Sequence, residues 1–229
     1  MRLGSSPVPP GDQQLIQRPS PNFGPRRDGA RPNLIVLHYT AMQSAEAACA
    51  RLCDPECEVS AHYLIGRDGT VSQLVDEDMR AWHAGAGQWG KITDVNSRSV
   101  GIELDNDGLS PFSAPLMDSL EGLMSGIMAR WRIPAANVIG HSDMAPGRKN
   151  DPGARFDWAR LVRAGLAVGS SATGAAVDAA GFEAALTRIG YPRCELETRL
   201  AAFRLRHNQG AKGPLNGTDC ARAADLASD

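Results

Sequence analysis

Leu34-Ile35-Val36-Leu37 is an unbroken apolar run, short and with no polar residue to turn toward water. A strand of that kind is buried on both faces, so the chain has to build a sheet that other elements cover on both sides. The run stops at His38-Tyr39-Thr40, where the backbone leaves the sheet. A second short strand, Asn137-Val138-Ile139-Gly140, also stops on a histidine, His141. Residues 99–105 alternate, with Val100, Ile102 and Leu104 on one side and Gly101, Glu103 and Asp105 on the other. Residues 60–65 and 70–75 flank Gly66-Arg67-Asp68-Gly69, a hairpin with Asp-Gly at its turn. Between the strands, 44–52 reads as a helix halted by Asp54-Pro55. Leu116, Leu120, Leu123, Met124, Ile127 and Trp131 follow helical spacing until Pro134 closes that helix. Strands interleaved with amphipathic helices give an α/β domain over 33–164.

The flanks read differently. Residues 1–32 hold five prolines before position 22, then Pro25 and Pro32, and are expected to form an extended arm on the surface. Residues 165–180 are nearly all Ala, Gly, Val, Ser and Thr, a linker composition. Beyond them, 181–229 carry two apolar stripes, Phe182, Leu186, Ile189 and Leu196, Leu200, Phe203, and Thr218 is placed to cap a third short helix. Three short helices make a thin core, so this unit leans on the main domain or serves as a small binding module.

Composition removes several function classes. Lys+Arg 24 against Asp+Glu 26 leaves a net charge of -2, without the basic excess of a dedicated nucleic-acid binder. No apolar run approaches the roughly 20 residues of a membrane-spanning helix. The first thirty residues lack an apolar central stretch, so no secretory signal is read and a cytoplasmic monomer is the expectation, with the periplasm as the alternative if an export signal precedes. Cys49, Cys53 and Cys57 sit four apart, but Pro55 interrupts any helix through all three, so they are expected to be packing residues rather than a metal site. An odd total of five argues against a disulfide framework.

His38, His141 and Asp151 are the residues with the chemistry to hold a catalytic zinc ion, which uses three protein ligands and keeps a position for water. Spacing alone does not separate that reading from three unrelated polar residues at strand ends. The motifs around them do more. Ile35-Val36-Leu37-His38-Tyr39-Thr40, Val59-Ser60-Ala61-His62-Tyr63-Leu64-Ile65, Trp82-His83-Ala84-Gly85, Val100-Gly101-Ile102-Glu103-Leu104 and Gly140-His141-Ser142-Asp143 occur in that order. Pro146-Gly147-Arg148-Lys149-Asn150-Asp151-Pro152-Gly153 follows them. Together they resemble the zinc-dependent N-acetylmuramoyl-L-alanine amidases of the type-2 family, relatives of bacteriophage lysozyme-amidases and peptidoglycan recognition proteins. The resemblance covers roughly residues 33–160.

The resemblance implies a mixed central sheet flanked by helices, with His38, His141 and Asp151 as zinc ligands in a surface groove. It makes Glu103 the catalytic carboxylate, activating water and then protonating the leaving amine. Lys149 lies two residues before Asp151; in an extended loop both side chains point the same way, placing an ammonium where it can hold the oxyanion. By the same alternation Arg148 points elsewhere, into solvent. Some relatives use a Tyr at the position of Ala61, a departure that shifts the work onto Glu103. His62 and His83 are expected to be structural, or substrate-facing for His83. Tyr39, Trp82 and Trp89 offer stacking surfaces or core packing, and Asp105 stands ready to raise the Glu103 pKa by like-charge proximity or is simply solvated. Residues 181–229 are similar to small helical peptidoglycan-binding modules. The implied substrate is peptidoglycan or soluble anhydro-muropeptides. The rival is a non-catalytic recognition module, but binding-only relatives usually lack a metal ligand, and all three are present here. No H-E-x-x-H helix supports a metallopeptidase.

Overall fold

The computed structural model describes residues 15–228. In chain order its strands are β1 (Leu15–Gln17), β2 (Phe23–Pro25), β3 (Leu34–Tyr39), β4 (Tyr63–Ile65), β5 (Val71–Gln73), β6 (Met79–Ala81), β7 (Ser99–Leu104) and β8 (Val138–Gly140). Its helices are α1 (Ala45–Leu52), α2 (Val95–Arg98), α3 (Ala114–Trp131), α4 (His141–Met144), α5 (Trp158–Arg163), α6 (Ala179–Ile189), α7 (Leu196–His207) and α8 (Gly217–Leu226). The main sheet runs β1-β5-β4-β7-β3-β8, and β2 pairs with β6 in a separate ribbon. β3 is parallel to both β7 and β8, β4 is parallel to β7, and β5 returns antiparallel to β4. This is the mixed, helix-flanked sheet that the sequence leads one to expect.

Alternation along β3 explains the layering. Ile35 and Leu37 join Val100, Ile102 and Leu104 under Leu116, Leu120, Met124 and Ile127 of α3. Leu34 and Val36 turn to the opposite face and, with Ile139, meet Phe182, Leu186 and Phe203 of α6 and α7. Each fully buried aliphatic side chain of this kind contributes about 1.5–3 kcal/mol. Next to the second cluster on that side, Leu64 packs with Ala48, Cys49 and Leu52 of α1. Local chemistry sets the helix ends: Ser44 accepts from the Ala47 N–H at the start of α1, and Ser113 from the Leu116 N–H at the start of α3. The hairpin forms where expected, with Gly69 at φ +89° and the Asp68 carboxylate accepting from the Thr70 N–H. Its strands are shorter than the pattern suggested, because Ser60 and His62 bond instead to the carbonyls of Trp82 and Gly101.

The described part of the amino-terminal arm is anchored rather than loose. β1 extends the main sheet and β2 the ribbon. Arg26 is buried between them and the core, donating to the carbonyls of Glu77, Asn96, Ser97 and Ser99. Residues 1–14 of the expected arm lie outside the described residues. The linker-like stretch begins with Leu166 and Ala167 buried, then runs exposed to α6. α8 is capped by Asn216, which accepts from Thr218 and Asp219 N–H groups, so Thr218 is inside the helix rather than its cap. Cys49 is buried and Cys53 and Cys57 half-buried, all as free thiols. Among the described residues no helix is long and apolar enough to cross a membrane.

Candidate active site

The alternation that buries Leu34 and Val36 carries His38 to the same face of the sheet, at the carboxyl end of β3. Glu103 is its register partner on β7. Gly140 ends β8 and His141 opens α4 directly, with the Asp143 carboxylate accepting from the Gly140 N–H at 2.8 Å. Asp151 returns from the following loop, tied by the Ser142 N–H donating to its carbonyl. Three buried atoms from three segments therefore converge: His38 Nδ1, His141 Nδ1 and Asp151 Oδ2, each 2.9 Å from the other two. These are the only residues among those described whose donor atoms group to suit a metal ion.

The protonation of the rings decides what this triangle can hold. His141 Nε2 lies 2.8 Å from the carbonyl of Ala84, which can only accept, so the proton sits on Nε2 and Nδ1 presents a lone pair. Burial, with His141 beside it, pushes the His38 pKa down to about 4, leaving a neutral ring at pH 7. A lone pair and a carboxylate oxygen at 2.9 Å repel unless a cation stands between them. The donor set, two imidazoles and one carboxylate, fits a divalent ion.

The triangle opens into a groove of about 410 Å³ lined on one side by Ala48, Arg51 and Leu52 of α1 and on the other by Arg148, Lys149 and Asn150. Glu103 lines it, and its Oε2 is buried with no hydrogen-bond partner. Burial, then the charge of Asp151, pushes its carboxyl up to about 8, with Lys149 opposing. Lys149 is exposed at the rim.

The structure decides between the readings left open for the neighbouring side chains. Arg148 is exposed, but its guanidinium turns back onto the 84–86 backbone rather than away from the site. Its Nη2 donates to the carbonyls of Ala84 and Ala86 and comes within 3.4 Å of His141 Nε2. Trp89 packs on Tyr191 with ring centroids 5.1 Å apart, as core, whereas Tyr39 and Trp82 line the groove. Asp105 pairs with Arg67 at 3.3 Å and plays no part in raising Glu103. His62 is structural: its Nδ1 accepts from the Gly101 N–H and its Nε2 faces the Met79 carbonyl. His83 lines the groove beside the triangle, and its Nδ1 lies 3.1 Å from His38 Nε2. Asn96, which accepts from the N–H groups of His83 and Ala84, gave no sequence signal.

With this geometry in view, comparisons with known proteins agree. The sequence profile described as N-acetylmuramoyl-L-alanine amidase matches residues 28–154. The chain is 34% identical to N-acetylmuramoyl-L-alanine amidase AmiD of Escherichia coli (strain K12) over 176 residues, 68% of this chain and 63% of that protein. It is 35% identical to 1,6-anhydro-N-acetylmuramyl-L-alanine amidase AmpD of Citrobacter freundii over 160 residues, 62% of this chain and 86% of that one. Among solved structures, AmiD from E. coli in complex with anhydro-N-acetylmuramic acid-L-Ala-D-gamma-Glu-L-Lys superposes with a TM-score of 0.73 at 30% identity, covering 92% of this chain and 90% of that chain. AmpDh3 from Pseudomonas aeruginosa in complex with anhydromuramic pentapeptide gives 0.73 at 27% identity, covering 85% and 91%.

Proposed function

The chain belongs to the N-acetylmuramoyl-L-alanine amidase family and is a hydrolase of that class, and we propose that it works through zinc held by His38, His141 and Asp151. The bond it cuts joins N-acetylmuramic acid to L-alanine in peptidoglycan or muropeptides, a reaction of wall turnover and recycling. The observation that carries this reading is the cluster of ligand-type atoms at 2.9 Å beside Glu103, whose Oε2 is buried without a partner in the same groove. Bound zinc would polarise the scissile carbonyl and bring the pKa of a water toward neutrality.

The chain's own residues supply the rest. Glu103, its carboxyl raised by burial and by the Asp151 charge, accepts a proton from the attacking water and returns it to the departing L-alanine nitrogen. Lys149 places a cation at the rim to hold charge developing on the carbonyl oxygen. Beside the groove, Glu197, Thr198 and Leu205 of α7 line a further cleft with Lys149 and Asn150, which widens the surface open to a polymeric substrate.

The test is mass spectrometry of digests of intact sacculi and of soluble anhydro-muropeptides by the zinc-loaded full chain. Glu103→Gln is expected to retain zinc and to lose about 10²–10⁴ in turnover. Unchanged turnover would remove Glu103 from the mechanism. A wild-type chain that binds muropeptides without releasing peptide would leave a recognition module.

A further inference from the structure

We propose that His83 is a positioning residue for the metal site: a one-way chain of hydrogen bonds running from Val95 through Ser99 and His83 fixes which nitrogen of His38 faces the ligand triangle. The proposal rests on the reading that this triangle holds zinc.

The direction of the chain follows from counting protons. The Val95 carbonyl can only accept, and Ser99 Oγ lies 2.6 Å from it, so the single hydroxyl proton of Ser99 is committed there. Toward His83 Nε2, 3.1 Å away, Ser99 Oγ can then only accept. His83 therefore carries its proton on Nε2, and in the neutral ring Nδ1 is bare. That bare nitrogen lies 3.1 Å from His38 Nε2, so His38 donates from Nε2 and keeps Nδ1 as a lone pair. Nδ1 is the atom that meets His141 Nδ1 and Asp151 Oδ2. Without an acceptor at His83, nothing outside the triangle would hold the proton on Nε2, and His38 could instead donate from Nδ1 to Asp151, blocking the metal.

Two independent features show that the ring of His83 is built into place. A Cβ at residue 101 would lie 2.4–2.6 Å from it, so only glycine on β7 leaves room for the ring to lie against the strand. The backbone on either side of the ring is also clamped, because Asn96 Oδ1 accepts from the N–H groups of both His83 and Ala84. Ala84 in turn offers its carbonyl to His141 Nε2. One short loop thus orients both ligand imidazoles, one by a side chain and the other by a carbonyl. His62, whose ring centroid is 5.7 Å from that of His83, cannot substitute, since both its nitrogens are engaged with Gly101 and Met79. Partners that orient metal-bound histidines typically change metal affinity about 10–100-fold when removed.

The experiment compares zinc affinity of the full chain, by competition with a chromogenic chelator, for wild type, His83→Leu and His83→Asn. Leucine removes the acceptor, while the asparagine side-chain oxygen falls close to the position of Nδ1 and restores it. Zinc affinity should drop about 10–100-fold in His83→Leu and recover most of that loss in His83→Asn. Two-bond ¹H–¹⁵N spectra of the metal-free wild type should show both His38 and His83 protonated on Nε2, a readout that decides the matter even where the leucine variant does not fold. Leucine binding as tightly as wild type, asparagine binding as weakly as leucine, or a proton on His38 Nδ1 each overturns the role of His83. A wild-type chain that takes up no zinc overturns the functional reading itself, and this inference with it.

Discussion

One face of the main sheet is covered by α3 and α5 and is apolar nearly throughout, whereas the face under α6 and α7 encloses buried charge. On the first, Ile35, Leu37, Val100, Ile102 and Leu104 meet Leu116, Leu120, Met124, Ile127 and Leu161. On the second, Leu34, Val36 and Ile139 meet Phe182, Tyr191 and Phe203, and among them Asp143 is fully buried. Asp143 accepts from the Gly140 N–H at 2.8 Å, from the Tyr191 hydroxyl at 2.7 Å and from Arg206 Nη1 at 3.1 Å. It belongs to α4, the short helix that begins with His141 of the triangle. The apolar face holds the fold; the face with buried charge ties the carboxy-terminal helices to the site. Removing those helices would also uncover Leu34, Val36 and Ile139, so they complete the core that supports the triangle.

The largest effect is expected from breaking that tie. Asp143→Ala leaves the Arg206 guanidinium buried without its carboxylate and the Tyr191 hydroxyl without its acceptor, which should cost about 3–5 kcal/mol in denaturant unfolding. Because α4 loses its anchor, zinc affinity should fall as well. Unchanged affinity would show that the carboxy-terminal helices support the fold but not the site. Leu120→Ala, on the other face, removes a fully buried side chain and should cost about 2–5 kcal/mol. There zinc affinity and turnover per folded molecule should match wild type. A loss of zinc in Leu120→Ala equal to that in Asp143→Ala would erase the distinction between the faces.

The same contrast explains what could be read from the sequence. β7 and α3 have periods of two and 3.6 residues set by burial on a regular surface, so Val100-Gly101-Ile102 and Leu116 to Trp131 declare their faces locally, and β3 declares burial on both faces by its unbroken apolar run. The proposed ligands His38, His141 and Asp151 were reached through motif resemblance, since their meeting depends on strand ends that lie far apart in the chain. Arg148 was misplaced because alternation presumes extended backbone. Instead the N–H groups of Arg148 and Lys149 both donate to the Ala145 carbonyl, a tight turn that swings Arg148 over the 83–86 loop. Trp89 and the Asp143–Tyr191–Arg206 group had no local signal at all. Their partners come from α6, α7 and the segment between them, and a buried polar residue looks like any surface one until its partner is known.

The smallest effect is expected at the rim of the apolar face, where an ion pair of similar composition is half open to water. The Glu77 side chain accepts from Tyr63 Oη at 2.6 Å, from Arg130 Nη2 at 2.5 Å and from Trp131 Nε1, and it is 10% exposed while Arg130 is 53% exposed. Burial alone would raise its pKa, but the bonds from Arg130, Tyr63 and Trp131 outweigh it and hold the carboxyl below its ordinary value. A folded-state pKa below the unfolded one means that Glu77 stabilises the fold above the ordinary glutamate range, near pH ~4.3, and that this is lost as pH falls through the lower folded value. Arg130→Gln should therefore cost no more than about 1 kcal/mol at pH 7, since the Arg130 guanidinium is half exposed and its charge is screened by solvent. The difference from wild type should shrink toward zero in acid, where Glu77 is protonated in both proteins. Urea unfolding at a series of pH values reads this directly: an equal difference at pH 7 and in acid would mean that Arg130 acts through packing of its aliphatic stem rather than through charge. That outcome would leave the buried Asp143–Arg206 pair as the charge pair of this comparison that matters to stability.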